Sequence, residues 1–522
     1  MREFGGWCFA GVATCAALIC ASACGSSSDG GSVGVSGSGG SAGHGGHGGT
    51  ASSSGGAGAG ASAGTHSDSA GGARAGGGDD GAPSDAAAGA AGASDATAGA
   101  GGSAGAAELP PVAQTIDLAS GSAGSNPQVA IDPSGNAIVA WLQSDGSKGT
   151  IWANRLDGAS QTWGTPKRLD KADVSSASPP SVAIDKNGNG FVVWSQAAGA
   201  ALPSSTWAAR YTASAASSGW SSATLLEADD TGETLSPLVA VDGSGNAIAL
   251  WNQKNGANSY YQLWSNRYAV GTGWGSRTQV EPTHVGNGSQ FDLGVDTAGN
   301  ALAIWTMNAG AGLLAYTSRW VPGSAWTAPA AVETDTAGVS TPHIAVDSAG
   351  NAIAIWAQPE GPNNVECSAR YAPGSGWEAG VVIQAPDVPS TGQSQIACDA
   401  AGNALALWAQ NSPTEGGIWA RANLTPDSWQ SELNLAWGGS APALSVSPNG
   451  HAVVAALSSL RVLASRVDAT SGSDWGAALQ VQTEFTTSDA PDVAVNDSGV
   501  AIVVWSQLDA DSRWRIWAAR LP

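Results

Sequence analysis

Aspartate, tryptophan and arginine recur in this chain at spacings that could do chemistry. Six aspartates, Asp132, Asp185, Asp242, Asp296, Asp347 and Asp399, are each followed by x-x-Gly-Asn. A carboxylate there can accept the amide hydrogens of a tight turn, and Gly and Asn tolerate the positive φ such a turn requires. The rival chemistry is a calcium loop, but calcium needs six or more oxygens and each segment offers one carboxylate, so turn chemistry is expected. Seven tryptophans follow the same anchor position: Trp141, Trp194, Trp251, Trp305, Trp356, Trp408 and Trp505. An indole buries up to about 250 Å², so the expected role is core, with a sugar-stacking platform as the rival. A second series, Trp163, Trp220, Trp274, Trp326, Trp377, Trp429 and Trp475, stands at Gly-rich or polar turns. These are the candidate ligand-stacking rings. Arginine fills one position eight times: Arg155, Arg210, Arg267, Arg319, Arg370, Arg421, Arg466 and Arg520. A bidentate pair with a carboxylate, the anchor Asp being the nearest choice, or bonds to turn carbonyls would explain it.

No catalytic set emerges. His284, His343 and His451 are scattered, and no Cys/His run has metal-ligand spacing. Residues 101–105 match the G-x-S-x-G pattern but lie in a Gly/Ala coil that offers neither the strand nor the helix the motif needs. His44, His47 and His66 lie in the same kind of coil. The expectation is therefore no catalytic residue, no metal site and no cofactor, with calcium as the one ion left open. Cys367 and Cys398 read as two separate thiols, Cys367 standing where other copies place an aromatic ring.

These residues belong to a repeat. The phrase Pro-x-Val-Ala-Ile-Asp-x-x-Gly-Asn-Ala-Ile-Val-x-Trp-x-Gln recurs, with degenerate copies anchored on Ser447 and Asn496, at intervals of 53, 57, 54, 51, 52, 48 and 49 residues. Such periods indicate a solenoid, propeller or array. Each unit reads as four short strands rich in β-branched and aromatic residues, bounded by Gly, Asn, Asp and Pro. The chain stops after a third strand, Ile516–Arg520, while the stretch 112–118 looks like an orphan fourth strand before the first unit. One N-terminal and three C-terminal strands would complete a blade and close a ring, which removes exposed edges. The expected fold is all-β, an eight-bladed β-propeller of four-stranded blades over residues 110–522. A seven-bladed ring is the alternative if the unit around Ser447 is irregular.

The phrase resembles the NHL-type propeller repeat, whose blades carry a similar Val-Ala-Val-Asp-x-x-Gly-Asn signature. It departs after the turn, where this chain has Trp-x-Gln, so the resemblance implies fold and not activity. The Asp-x-x-Gly…Trp spacing is also similar to the Asp-box of sialidase-like propellers, from which no residue is carried over.

Residues 1–23 have the form of a secretory signal: Arg2, an apolar stretch from Trp7 to Ile19, then small residues. The ending Ala21-Ser22-Ala23-Cys24 resembles a bacterial lipobox, which implies a lipid on Cys24 and, with Gly25 following, an outer-membrane or surface address. Cleavage after Ala23 with secretion is the alternative. Residues 24–109 are almost entirely Gly, Ser, Ala and Thr, without an aromatic ring. Such a segment cannot bury enough apolar surface to fold and would span about 50 Å as a flexible coil. The net charge is −22 with 20 Lys and Arg, which argues against nucleic acid. The expected function is a binding module for a glycan or a surface protein, monomeric and held to the membrane only by its lipid, with the site on the face that carries the loops of varying length. A polysaccharide-acting enzyme with its site in the channel mouth, and a structural envelope protein, are the rivals.

Overall fold

The computed structural model describes residues 112–522 apart from short loop stretches and residue 522. The signal, Cys24, the Gly/Ser/Ala segment, His44, His47, His66 and residues 101–105 lie outside the described residues, as does His284. The described residues form eight antiparallel sheets. Blade one is typical: Gly124–Ile131, Ala137–Ser144 and Gly149–Asp157 run in order from the inside outward. Its outer strand is broken into Thr162–Trp163 and Lys167–Arg168, both paired to the third strand. The unit around Ser447 is a regular blade built from Gly439–Val446, His451–Ser458, Arg461–Asp468 and Leu479–Gln480. There are therefore eight blades, not seven.

The ring closes within blade eight. Ala113–Thr115 pairs antiparallel with Trp514–Leu521, in the register Ala113↔Ala519, Gln114↔Ala518 and Thr115↔Trp517. The closing strand is shorter than the stretch 112–118 suggests, but two residues beyond it still belong to the clasp. Ile116 donates its N–H to the carbonyl of Ile516, and the fully buried Asp117 carboxylate pairs with Arg515 at 2.7 Å.

The inner strands carry a proline signature with a structural meaning. Asn126, Ser236, Thr341 and Ala441 have φ between 46° and 53°, and each precedes a proline. The first-to-second-strand register shifts there. Proline cannot donate to the ladder, so the chain makes a bulge at that point instead of a broken pair.

The core lies between blades. Each hydrophobic cluster joins one blade to the next; the cluster of Ile138, Ile151, Val192, Trp194 and Trp207, for example, spans blades one and two. The seven second-strand tryptophans are at most 1% exposed. Five of them satisfy the indole N–H with the glutamine two residues on: Trp141–Gln143 at 2.7 Å, Trp194–Gln196 at 3.3 Å, Trp251–Gln253 at 3.3 Å, Trp356–Gln358 at 2.8 Å and Trp505–Gln507 at 2.7 Å. In these five blades the Trp-x-Gln spacing buries an indole without stranding its donor, whereas in blade six Trp408 keeps Gln410 at this spacing but its N–H is buried without a partner. Blade four has Met307 at the glutamine position, and there the Trp305 N–H is buried without a partner. Trp505→Phe is therefore expected to cost about 1 kcal/mol more than Trp305→Phe, because only the former leaves a glutamine oxygen unpaired. Urea unfolding of the two variants measures the difference, and equal losses would show that the indole–amide bond adds nothing net.

Candidate functional site

The two ends of the ring differ in chemistry. At one end lie the turns between first and second strands. In the blade-five turn the Asp347 Oδ1 accepts the N–H of Ala349 at 2.9 Å and of Asn351 at 2.8 Å, while Oδ2 accepts the Asn351 side-chain amide at 2.8 Å. The same pattern holds Asp132 to Asn136, Asp185 to Asn189, Asp242 to Asn246, Asp296 to Asn300 and Asp399 to Asn403. In the degenerate units, Ser447 and Asn496 accept the corresponding backbone N–H. The glycine of the turn serves two ends. Gly245 has φ of 82°, and a Cβ there would stand 2.6 Å from Oδ2 of Asp185 in the preceding blade. Successive turns thus abut around the ring, with their carboxylates occupied by amides.

The arginine series uses the partners the sequence suggests in some blades, as in Arg155 with the Asp157 carboxylate at 3.5 Å, and different ones in others. Arg267 reaches its own blade's anchor, Asp242, at 3.2 Å. Most of the others point to the following blade. Arg155 lies over the Tyr211 ring at 5.4 Å, Arg210 over Tyr268 at 5.2 Å and Arg267 over Trp320 at 4.6 Å. Arg370 bonds the side chain of Asn423, and Arg466 the carbonyl of Gly499. Arg421 instead bonds the Ile383 carbonyl in the preceding blade, at 2.6 Å. Arg319 is half-buried and Arg520 is exposed. The guanidinium works mainly as a cation over the neighbouring blade's ring or as a donor to its backbone, and so holds blades together.

The turn-flanking tryptophans Trp163, Trp220, Trp274, Trp326, Trp377, Trp429 and Trp475 are all half-buried. Each packs against a cluster shared with the preceding blade. Trp326 donates to Ser265 Oγ at 2.9 Å and Trp377 to Thr317 Oγ1 at 2.8 Å, both across the blade boundary. Tyr211 meets Trp220 edge-on at 5.4 Å, and Tyr268 meets Trp274 at 5.7 Å. The rings therefore sit in the seams at the rim and present only part of their surface.

At the other end of the ring lie the loops of differing length. The second-to-third-strand connection covers residues 361–362 in blade five but 198–203 in blade two. Two acids near this face are interior. Glu227 is 3% and Glu333 is 7% exposed. They belong to a repeated outer-strand ending that the sequence reading missed: Asp170, Glu227, Glu281, Glu333, Gln384 and Gln482 are all buried. Asp170 accepts the N–H of Ile151 at 3.1 Å, Glu227 that of Thr206 at 2.9 Å and Gln482 that of Val462 at 3.0 Å. Gln196 donates to Asp170 at 3.2 Å, which links the Trp-x-Gln pair of one blade to the outer strand of another. The available signal was an aliphatic residue followed by an acid or amide, as in Leu169-Asp170 and Val280-Glu281.

Two further acids face the inner-strand edges. Asp292 accepts the N–H of Ile344 at 3.0 Å and lies 3.3 Å from His343 Nδ1. Burial pushes its carboxyl above the usual range, against the opposing pull of His343 and the amides. Asp492 accepts the N–H of Val129 at 2.8 Å, and burial raises it well above the usual range. Both cap an inner-strand amide of the next blade. His451 is exposed and distant in sequence from these pairs. Among the described residues, no group of three or more His, Cys, Asp or Glu side chains could hold a metal ion. Cys367 and Cys398 are not disulfide-bonded.

Two cavities stand out. One, of about 250 Å³, lies at the turn end against the inner strands of blades four to seven and includes Asp296, Asp347, Asp399 and Cys398 in its wall. The other, of about 490 Å³, lies between blades four and five and includes Trp356, Cys367 and Trp377.

No protein-family model matches the chain, and no curated protein matches it. Solved structures do. A protein of unknown function from Dyadobacter fermentans matches with a TM-score of 0.39 and 12% identity, over 79% of this chain and 98% of that one. A polysaccharide lyase matches at 0.44 and 8%, over 78% and 92%. The intramolecular trans-sialidase from Ruminococcus gnavus matches at 0.36 and 13%, over 78% and 95%.

Proposed function

We propose that the chain is a carbohydrate-binding module: a signal over residues 1–23, a tether over 24–109 and a propeller over 110–522 that presents its variable end to a glycan at the cell surface. One contrast supports the reading. At the turn end the repeated carboxylates are occupied by amides, and the arginines lie in the blade seams, so these groups build the ring. Residues that differ from blade to blade are concentrated at the loop end, where a rigid scaffold most readily carries a binding surface. The domain's 34 acidic against 18 basic residues favour neutral or cationic partners, or a glycan held with calcium.

Purified full-length chain is expected to bind members of a glycan panel saturably, with a change in tryptophan fluorescence on titration. A blank panel both with and without calcium would overturn the reading and turn the search to protein partners. The address is tested separately: Cys24→Ala is expected to abolish incorporation of labelled fatty acid in a bacterial host and to release the chain from membranes. Unchanged labelling would refute the anchor and leave a secreted protein.

A further inference from the structure

The cavity between blades four and five lies where a ring that six other blades carry is replaced by a thiol. Directly across from the core tryptophan, the third strand carries Trp152, Trp207, Trp264, Tyr316, Trp419 and Trp517 in six blades, but Cys367 in blade five; blade seven sets Leu463 across from Ala456. This position faces the preceding blade: Trp207 shares a cluster with Trp194 and the residues of blade one, and Cys367 shares one with Trp356 and the residues of blade four. A thiol fills far less of the seam than an indole. The space beside it, about 490 Å³, is lined by Trp356, Gln358, Cys367, Trp377, Glu333 and Glu378 among others. A cavity of about 150 Å³ with apolar walls is enough to take up benzene.

The blade-two counterpart shows how a ring would be held. Trp207 donates its indole N–H to the backbone carbonyl of Gln196 at 2.9 Å, and Gln358 stands at the same place in blade five, two residues after the core tryptophan. Trp356 and Trp377 supply aromatic walls. The lining includes two carboxyl side chains, Glu333 and Glu378, and no lysine or arginine. We propose that this seam is a binding site for a planar aromatic amine of about indole size, which occupies the space of the missing third-strand ring and sets its cation toward the glutamates. The site is distinct from the loop end assigned to glycan, and either can fail alone.

Calorimetric titration of the full-length chain with tryptamine, indole and indole-3-acetate tests it. Tryptamine is expected to bind saturably with one equivalent, indole more weakly and indole-3-acetate weakest. Cys367→Trp and Cys367→Leu refill the seam with residues that sister blades carry at this position, and each is expected to weaken tryptamine at least tenfold without lowering the Tm. The absence of saturable tryptamine binding to the parent chain would overturn the proposal. So would unchanged affinity in either folded variant, or an order of affinity that favours indole-3-acetate.

Discussion

Arg515→Ala will destabilise the propeller by about 3–5 kcal/mol, because it removes one member of a buried ion pair and strands the other. The pair is Arg515 with Asp117, made by Nε at 2.9 Å and Nη2 at 2.7 Å. The Arg515 side chain is 12% exposed and that of Asp117 fully buried. Asp117 holds the Arg515 guanidinium more firmly protonated than usual, chiefly by accepting its hydrogens. The pair joins the segment after the closing strand to the last strand of the chain, so the variant should lose closure before it loses any single blade. Equilibrium unfolding in urea measures the loss, and limited proteolysis should cut first near residue 112. Asp117→Asn should cost less, since an amide can still accept one of the hydrogens. A loss below 1 kcal/mol for Arg515→Ala would mean that backbone pairing alone closes the ring.

Asp492→Asn is expected to remove a pH dependence of stability. Burial raises the folded-state pKa of Asp492 well above its ordinary 3.8. Between those two values the folded chain holds a proton that the unfolded chain has lost, so stability falls as pH rises through that window. Below both values the group contributes no slope. The asparagine keeps an oxygen for the N–H of Val129 and carries no charge. The variant should therefore gain on the parent as pH rises from about 4 to neutrality, by about 1.4 kcal/mol for each unit by which the carboxyl is raised. Asp492→Leu should instead lose stability at every pH, because the Val129 amide would be left unpaired. Paired unfolding curves at several pH values decide the matter: a constant difference between parent and Asp492→Asn would show that Asp492 titrates normally.

The fold was legible because one turn repeats. Asp-x-x-Gly-Asn occurs six times with its partner strand pattern intact, and the degenerate turns at Ser447 and Asn496 keep the oxygen that accepts the same backbone amide. Closure was legible from an unfinished last unit and an orphan strand before the first. The role of the second-strand tryptophans follows from their burial, and in five of the seven the glutamine two residues later explains how that burial is tolerated. Partners across blades were not legible. A residue and its neighbour one repeat on occupy the same position in the pattern, so periodicity cannot tell an arginine that turns back to its own Asp from one that reaches Tyr211 or Tyr268. The burial of Asp170 and Glu227 was not legible either. They stand two residues beyond two-residue strands that give no alternation, and acidic side chains mostly face solvent. The seam at Cys367 is visible in sequence as a broken aromatic series, but the space it opens requires the packing of both blades.

The short closing strand also determines how the molecule answers a pull. Any tension applied through the residues before 112 enters the fold at Ala113–Thr115, which is held to its neighbour over three residue pairs. The strands it bypasses are paired over as many as nine residues, as between Ala352–Glu360 and Asn363–Ala372. Load therefore reaches a short ladder first, and the Asp117–Arg515 clasp stands directly behind it. A drag on the propeller would open the circle at this one gate while the long ladders of the other seven blades remain unloaded.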